Sequence, residues 1–320
     1  MAYRCAILDD YQNVALQVAD WSPVAKDLDI KVFNEPLGGQ DKVIQALADF
    51  DIVCGMRERT PFPRAVISAL PKLRLLITTG ARNASFDLAA AKDHNVVVCG
   101  TPGFGNPTAG LTIGLMLELT RRIGFENARM KAGKPWQVTI GADLEGHTLG
   151  VIGLGKLGTR VAKVAQALGM KVIAWSQNLT PDKCREAGVE YAAKEALLGQ
   201  ADFVSIHVIL SQRSRGLIGA KELGRMKPTA YLINTARGPI VDEAALLAVL
   251  NDKRIAGAAL DVFDVEPLPL DHPFRKMDNV VLTPHLGYVS TQNYRAYFKG
   301  VVEDIRGWID GKPVRAISAD

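Results

Sequence analysis

Three apolar runs late in the chain end in side chains of types that carry chemistry. They are NTARG with Arg237, LDVFDVEP with Asp261 and Glu266, and LTPHLG with His285. A guanidinium binds anions through a planar fork of donors, and an imidazole exchanges protons near neutral pH. Taken singly, each has an ordinary alternative: a surface arginine at a turn, an exposed acid before a proline, a capping or core histidine. Because ligands of an open parallel sheet bind beside the carboxyl ends of its strands, the three together favour one shared site.

A glycine-rich loop lies upstream of these segments. In TLGVIGLGKLGTRVA, Gly153, Gly155 and Gly158 have GxGxxG spacing, directly after an apolar strand and at the start of an amphipathic helix. In such a loop the first glycine permits a tight turn, the second lets the backbone approach a pyrophosphate, and the third lets the helix pack against the strand. The helix N-terminus also offers free N–H groups to an anion. The flanking strand and helix favour a dinucleotide site over glycines that serve only a tight turn.

The next strand departs from the usual pattern of such sites. An acid that bonds the adenosine ribose hydroxyls is expected about 20 residues after the glycines, but KVIAWSQNLT has Ser176 there, followed by Gln177 and Asn178. These side chains can bond either a hydroxyl or a phosphate oxygen. The cofactor is therefore predicted to be NAD or NADP, with the preference open; alternatively, Ser176 merely ends a strand.

The elements that must position these residues alternate along nearly the whole chain. Short apolar runs are followed by helical patterns, such as CAIL by VALQVADW, which indicates parallel strands with crossover helices. Six strand-like runs predict a dinucleotide-binding domain at residues 103–287. A closing helix at about residues 290–310 returns to the first domain, which is therefore discontinuous, at 1–102 and 288–320. The run LTIGLMLELTRRIGFENARM predicts one long packed helix.

Composition excludes several classes of protein. The 320 residues are 48% hydrophobic, but no apolar run approaches the roughly 20 residues that span a bilayer. The start, MAYRCAILDD, is typical of a first strand and not of a signal peptide, so we expect a cytoplasmic protein without a membrane partner. The net charge of +4 has no basic block, which disfavours nucleic acid. Cys5, Cys54, Cys99 and Cys184 have no CxxC spacing, which predicts reduced, buried thiols and no metal site.

Four motifs make the chain resemble the D-isomer-specific 2-hydroxyacid dehydrogenases, in particular the short phosphoglycerate-dehydrogenase-like members. They are VIGLGKLG, MKPTAYLINTARGPIVDEAALLAVL, AGAALDVFDVEPLP and NVVLTPHLG, which with DHPF extend over most of residues 140–290. The match is looser earlier, at MRERTPF, LPKLRLLITTG and VVCGTPG. The resemblance implies an α/β fold with two doubly wound parallel-sheet domains, a Rossmann cofactor domain and a flavodoxin-like substrate domain, and a cleft between them.

The resemblance also implies roles for the three strand-end residues. Arg237 resembles the arginine that orients the substrate's carboxylate and keto oxygen. His285 resembles the general acid/base that exchanges a proton with the substrate oxygen, a task that suits an imidazole. Glu266 resembles the carboxylate that orients His285 and favours its charged form.

Further positions correspond to the family's cofactor contacts. Asp261 resembles the residue that holds the nicotinamide carboxamide, and Lys156 with Leu157 occupies the pyrophosphate loop. The positions that line the family's cofactor cleft are His207, Ile209, Ser214, Thr235 and Ala236. For His207 a structural role is an equal alternative.

On the substrate side, the family binds the carboxylate with backbone N–H groups after the fourth strand, here those of Ala81 and Arg82. The family's loop commonly reads Gly-Val-Gly-Tyr-Asp-Asn, whereas this chain has GARNASF. Arg82 therefore turns into solvent or, as we favour, adds a positive charge that selects substrates with an extra anionic or polar end. Arg57 in MRERT stands where the family often places a substrate-side arginine, and Glu58 replaces a more usual small residue.

The predicted function is an NAD(P)-dependent oxidoreductase acting on CH–OH groups, a D-2-hydroxyacid dehydrogenase that transfers hydride between nicotinamide and C2 of a 2-keto acid. The phosphoglycerate dehydrogenase and the glyoxylate or hydroxypyruvate reductase types are both compatible with the motifs. The alternatives are a nucleotide-sensing, corepressor-like interaction protein and a formate- or phosphite-type dehydrogenase. The resemblance further implies a homodimer formed with the help of the long apolar helix.

Overall fold

The computed structural model describes residues 2–318. The described residues form two compact units: those up to Gly105 with those from Ser290 onward make unit 1, and Asn106–Val289 make unit 2. For comparison, the sequence predicted domain boundaries at 102/103 and 287/288.

Unit 1 is built on a five-stranded parallel sheet flanked by helices. Its strands are β1 (Tyr3–Ile7), β2 (Leu28–Val32), β3 (Ile52–Gly55), β4 (Leu75–Thr78) and β5 (Val97–Gly100). Its helices are α1 (Gln40–Leu47), α2 (Arg64–Ser68), α3 (Leu88–Asp93) and α11 (Thr291–Ile309). The strand order is β2-β1-β3-β4-β5, which confirms the predicted flavodoxin-like arrangement. All residues of β3 and β4 are buried, as parallel strands covered on both faces require.

One predicted helix of unit 1 is absent. VALQVADW forms turns instead, within a segment without regular secondary structure between β1 and β2. The buried carboxylate of Asp10 accepts hydrogen bonds from the amides of Val14 (3.1 Å) and Ala15 (2.8 Å), and the indole of Trp21 donates to the Ala15 carbonyl (3.0 Å). These side-chain bonds give the backbone an alternative to a helix, so the prediction of a helix here was wrong.

Unit 2 is built on a seven-stranded parallel sheet. Its strands are β6 (Thr148–Ile152), β7 (Lys171–Trp175), β8 (Glu190–Tyr191), β9 (Phe203–Ile206), β10 (Tyr231–Asn234), β11 (Gly257–Leu260) and β12 (Val280–Leu282). Its α-helices are α4 (Pro107–Arg121), α5 (Ile123–Lys131), α6 (Lys156–Ala167), α7 (Pro181–Glu186), α8 (Lys194–Gln200), α9 (Ala220–Leu223) and α10 (Glu243–Asn251). Two 3₁₀ helices, Gly238–Ile240 and Pro273–Lys276, follow β10 and β11.

The sheet order β12-β11-β10-β9-β6-β7-β8 confirms the predicted Rossmann domain, since β6 and β9 are neighbours at the point where the strand order reverses. The six predicted strands all form. The seventh strand, β8, was missed because it has only two residues, both exposed, and so carries neither an apolar run nor a period.

The long helix predicted after Leu111 is two helices, α4 and α5. They are separated at Arg122, whose backbone is left-handed at φ 48°. The carboxylate of Glu118 accepts a hydrogen bond from the amide of Gly124 and thereby closes the end of α4. Helix α4 packs against the sheet, whereas α5 buries none of its residues.

All four cysteines are buried, and none forms a disulfide. Burial raises the pKa of the Cys99 thiol to about 12, so this thiol stays protonated. No helix within residues 2–318 combines the length and the apolar character needed to cross a membrane.

Candidate active site

The glycine loop between β6 and α6 uses each of its glycines for a different steric reason. Gly153 has φ +102°, and a Cβ there would lie 2.8 Å from the carbonyl carbon and oxygen of His207. A Cβ on Gly158 would lie 2.0 Å from the carbonyl oxygen of Gly153, so α6 approaches the loop more closely than a side chain allows. A Cβ on Gly155 would meet no atom within 4 Å. Only Gly155 therefore borders open space.

This loop fits the diphosphate of a dinucleotide. Gly155 is the N-cap of α6 and gives that helix no side-chain cap, so its first N–H groups and its positive dipole end are available to an anion. Lys156 at the first helical position is exposed, and Leu157 beside it is partly buried. Together the space over Gly155, the uncapped amides and the Lys156 charge suit a pyrophosphate.

Ser176 and Gln177 lie beside the glycine loop. The amide of Gly153 donates to the carbonyl of Trp175 (2.8 Å), so the residues that follow β6 and β7 meet at one edge of the sheet. Ser176 begins a turn in which its carbonyl accepts from the amide of Leu179 (3.0 Å). Ser176 is partly buried and Gln177 is exposed.

The loop after β9 contains three predicted cofactor residues in different situations. The His207 ring nitrogen Nε2 lies 2.8 Å from the Ser205 hydroxyl, and burial lowers the pKa of His207 to about 4, so the ring is neutral at neutral pH. The Ser214 hydroxyl donates to the carbonyl of Ile209 (2.6 Å) and accepts from the amide of Ser211 (2.8 Å). The Ile209 side chain is exposed. His207 and Ser214 thus shape the loop, while Ile209 offers apolar surface.

The loop after β10 holds Arg237 through bonds that sequence reasoning missed. The buried amide side chain of Asn234 donates to the Arg237 carbonyl (2.9 Å) and accepts from the Ala236 amide (3.0 Å). The Arg237 guanidinium donates to the Ala236 carbonyl (2.7 Å). The Thr235 hydroxyl lies 3.0 Å from that of Thr112 on α4. An asparagine directly after the apolar run of a strand is the signal that could have identified Asn234 as a loop anchor.

The loop after β10 also contacts the loop after β11. A Cβ on Gly238 would lie 2.1 Å from the carbonyl carbon of Phe263. Only a glycine lets these two backbones approach so closely. The loops that carry Arg237 and Glu266 are therefore held side by side within unit 2.

His285 and Glu266 form the closest acid–base pair of the predicted set. The His285 Nδ1 lies 2.6 Å from Glu266 Oε2, and Glu266 Oε1 accepts from the amide of Phe263 (3.0 Å). The two side chains are only 16% and 24% exposed, so the hydrogen bond is partly shielded from water. Because Nδ1 faces the carboxylate, Nε2 is the nitrogen positioned to exchange a proton with a ligand. His285 also has a left-handed backbone, φ 54°, of the kind that recurs at functional sites.

Asp261 organises the loop that bears His285. Its buried carboxylate accepts from the Thr283 hydroxyl (2.6 Å) and from the amides of Leu286 (2.6 Å) and Gly287 (2.8 Å). Burial raises the pKa of Asp261. These hydrogen bonds lower the pKa but offset only part of the effect of burial, so the pKa remains above its ordinary value. Asp261 therefore fixes the loop between β12 and α11, and its contact with a nicotinamide carboxamide stays a prediction.

The predicted substrate residues of unit 1 lie on the loops after β3 and β4. The Arg57 amide donates to the Thr79 hydroxyl (3.0 Å) and its guanidinium to the Thr79 carbonyl (3.2 Å), with a left-handed backbone at φ 54°. A Cβ on Gly80 would lie 1.8 Å from Arg57 Nη1, so this glycine makes room for the guanidinium.

The loop after β4 leaves two successive amides available. Ala81 and Arg82 are exposed, and within residues 2–318 their N–H groups donate to no acceptor. The next residue, Asn83, is buried and anchors the loop, since its side chain donates to the Thr78 hydroxyl (3.0 Å) and accepts from the Ser85 amide (2.9 Å). Asn83 was not predicted from the sequence.

The Rossmann sheet, the open glycine loop and the acid–base pair at neighbouring strand ends place this chain in the class of dinucleotide-binding enzymes. Residues 113–287 match the family model described as D-isomer specific 2-hydroxyacid dehydrogenase, NAD binding domain. The chain belongs to this family, whose members are NAD-dependent oxidoreductases that act on CH–OH groups.

Similar proteins agree with this assignment. The chain is 36% identical over 270 residues to a glyoxylate reductase of Korarchaeum cryptofilum, covering 82% of this chain and 81% of that protein. It is 34% identical over 279 residues to a D-3-phosphoglycerate dehydrogenase of Synechocystis, covering 86% of this chain and 50% of that protein. The structure of a phosphoglycerate oxidoreductase from Vibrio cholerae superimposes with a TM-score of 0.91 at 32% identity, covering 97% of this chain and 99% of that one.

Proposed function

We propose that this protein is an NAD(P)-dependent D-2-hydroxyacid dehydrogenase whose acid–base residue is His285. The observation that carries the proposal is the 2.6 Å contact between His285 and Glu266 in the unit that also holds the open glycine loop. A carboxylate at Nδ1 fixes the orientation of the imidazole and assigns proton exchange to Nε2. The relatives named glyoxylate reductase and D-3-phosphoglycerate dehydrogenase support a 2-keto or 2-hydroxy acid as substrate.

Each residue then has one task. When bound, the nicotinamide supplies or accepts the hydride. Arg237 binds the substrate's carboxylate and keto oxygen, and its carbonyl bond to Asn234 holds it in place. In reduction His285 donates a proton from Nε2 to the carbonyl oxygen while C2 gains the hydride, and in oxidation it takes that proton back. Glu266 holds the imidazole in place through the contact between its Oε2 and His285 Nδ1.

Unit 1 is proposed as the substrate domain and unit 2 as the cofactor domain. The two available amides of Ala81 and Arg82 suit a carboxylate, because successive backbone N–H groups form an anion site. The guanidinium of Arg57, fixed against Gly80, is proposed to lie near the same carboxylate. At the cofactor's ribose, Ser176 and Gln177 place neither a repelling acid nor an arginine, so use of both NAD and NADP is proposed.

We also propose a homodimer formed through residues 123–140, which comprise α5 and the segment that follows it. The carboxylate of Glu126 accepts from the amides of Val138 (3.2 Å) and Thr139 (2.9 Å), which gives the segment a defined shape. Its exposed apolar side chains are Ile123, Phe125, Met130, Trp136, Val138 and Ile140. An apolar surface of this kind suits association with a second copy. A cytoplasmic location is proposed because four buried, free thiols suit a reducing compartment.

The test is a panel of initial rates with NADH and NADPH. The acids are glyoxylate, hydroxypyruvate, pyruvate, and a dicarboxylic and a phosphorylated 2-keto acid, each with the wild type and with His285→Gln. We expect turnover of at least one acid, reduced by about 100- to 10,000-fold in the variant while cofactor binding persists. Binding of both cofactors without turnover of any acid would favour a nucleotide-sensing protein, and activity on formate or phosphite alone would favour a dehydrogenase of those anions.

A further inference from the structure

The segment that follows α11 returns to the sheet of unit 1 and pairs with its edge strand. The amide of Gly100 donates to the carbonyl of Arg315 (3.2 Å), and the amide of Ile317 donates to the carbonyl of Val98 (2.8 Å). These bonds set residues 315–317 antiparallel to β5, so they cover an edge whose backbone groups need partners. The Ile317 side chain is partly buried and packs against the apolar core of unit 1. We call residues 315–317 the strap.

The guanidinium of Arg315 anchors the strap to α11. Its Nη1 donates to the Glu303 carboxylate (2.8 Å), and its Nη2 donates to the Gly300 carbonyl (2.8 Å). Nη2 also lies 3.1 Å from a carboxylate oxygen of Asp304. Because the Asp304 side chain is 0% exposed, the Arg315 charge compensates a carboxylate that water does not reach.

The Asp304 carboxylate keeps its charge at neutral pH in spite of its burial. Burial raises the pKa of Asp304 to about 6, and the Arg315 guanidinium opposes this rise. Because the pKa remains below neutral pH, the ionised carboxylate attracts Arg315 under ordinary conditions. Loss of the guanidinium would remove a compensating charge from a buried site, which is costly. The strap is therefore held by ion pairing to α11 as well as by backbone bonds to β5.

The strap meets the loop after β4 beside Gly100. A Cβ on Gly100 would lie 2.9 Å from the Gly80 carbonyl oxygen and 3.0 Å from that of Ala81. The same atom would lie 2.9 Å from Cδ1 of Ile317, so the strap and the two carbonyls converge on one side of this glycine. The Gly80 carbonyl also accepts from the amide of Thr101 (3.1 Å). The strap thus packs where the carbonyl groups of the loop are held.

These two carbonyls control the direction of the amides that are proposed to bind the substrate's carboxylate. The Gly80 carbonyl and the Ala81 amide belong to one peptide unit, and the Ala81 carbonyl and the Arg82 amide belong to the next. A trans peptide unit is planar, so its C=O and N–H bonds point in opposite directions. Carbonyls held beside Gly100 therefore aim both amides away from it. Because hydrogen bonds weaken steeply as they bend, rotation of either peptide unit would weaken an anion site at these amides.

We propose that Arg315 and Ile317 are positioning residues for substrate binding, because the strap holds the peptide units of residues 80–82 in the orientation that binds a carboxylate. This inference rests on the proposed function, since it places the substrate's carboxylate at the amides of Ala81 and Arg82. Arg315 and Ile317 act through the loop and take no part in hydride or proton transfer. Loosening the strap should therefore weaken binding of the acid and leave the chemical step and cofactor binding unchanged.

The experiment measures kcat and KM for the acid of the panel with the highest rate, together with two binding constants and Tm. The binding constants are the Kd for NADH and the Kd for oxamate, a carboxylate that NADH does not reduce, with NADH bound. The variants are Arg315→Gln, Arg315→Lys and Ile317→Ala. Arg306→Gln is the matched control, because Arg306 is similarly exposed, 33% against 28%, but pairs with Asp27 and Asp310.

We expect Arg315→Gln to raise KM for the acid and Kd for oxamate by about 5- to 50-fold, with kcat and the Kd for NADH changed by less than about twofold. Arg315→Lys should restore part of the affinity, because an ammonium keeps the charge beside Asp304 but lacks the planar fork that reaches two partners. Ile317→Ala should weaken binding of the acid by about threefold or more, and Arg306→Gln should leave it unchanged.

The inference is overturned if Arg315→Gln lowers Tm but leaves KM and the Kd for oxamate within about twofold of the wild type, since Arg315 would then be merely structural. Equal weakening of NADH and oxamate would also overturn it. If Arg315→Gln does not fold, Ile317→Ala decides by the same criteria. Oxamate binding that depends on Arg315, without turnover of any acid, would support the inference and refute the proposed function. Absence of both turnover and oxamate binding would refute both.

Discussion

Replacing Glu266 by glutamine changes one charge at the proposed acid–base pair and almost no volume. In the wild type, Glu266 Oε1 accepts from the Phe263 amide at 3.0 Å and Oε2 faces His285 Nδ1 at 2.6 Å. In the variant the carboxamide oxygen can keep the Phe263 bond, which directs the NH₂ group toward His285. Two donors would then face each other whenever the imidazole is charged. The variant therefore disfavours the form of His285 that donates a proton in reduction.

The size of the effect follows from the geometry of the pair. A hydrogen bond between charged groups contributes about 1.5–3 kcal/mol, and each 1.4 kcal/mol is a factor of ten in rate. Because the two side chains are 16% and 24% exposed, partial screening by water favours the lower part of this range. We expect kcat for reduction to fall by about 10- to 100-fold, with KM for NADH changed by less than about twofold, since Glu266 lies outside the glycine loop.

The assay is NADH oxidation with the best acid of the panel, repeated with NADD to confirm that hydride transfer limits kcat. Glu266→Gln is also made in the His285→Gln background, where it should have little further effect if Glu266 acts through His285. The reasoning is refuted by an unchanged kcat under conditions where NADD slows the reaction. An equal loss in both backgrounds would also refute it.

Three further predictions concern the cofactor loop, pH and assembly. Gly155→Ala should leave Tm unchanged and weaken NADH binding by about tenfold or more, whereas Gly158→Ala should lower the free energy of unfolding in urea by about 1–3 kcal/mol. If the two variants lost stability and NADH affinity to the same extent, the steric assignment would be contradicted. Because burial lowers the pKa of folded His207 from 6.5 to about 4, the neutral ring contributes its full stability above pH 6.5 and loses it as the pH falls toward 4. Between those pH values the free energy of unfolding in urea should therefore fall by about 1–3 kcal/mol more in the wild type than in His207→Gln, and an equal fall in both proteins would contradict this. Ile140→Asp should yield a monomer by sedimentation without loss of Tm, and an unchanged sedimentation coefficient would remove this segment from the proposed interface.

The sequence by itself determined the parts of this protein that depend on neighbouring residues. The glycine loop is one continuous strand, turn and helix, and the close contact of Gly158 is with Gly153 inside it. The backbone of His207, which lies against Gly153, comes from the loop after β9 and is a tertiary contact. The alternation of apolar runs with helical patterns was sufficient to predict the α/β fold class, because parallel strands require crossover connections. Local hydrogen bonds were harder to predict: Asp10 replaced a predicted helix with turns, and Glu118 closed α4 early.

The tertiary structure alone decided which distant side chains meet. His285 and Glu266 are 19 positions apart and come together because β11 and β12 are neighbours in the sheet. The bond from Thr60 to Asp9 joins residues 51 positions apart, across β1 and β3. Apolar periodicity identifies strands but contains no information on their order, and the order decides which loops share an edge. The loop anchors Asn234 and Asn83 went unpredicted for the same reason, because their importance lies in the backbone groups that the folded loops bring within reach of their side chains.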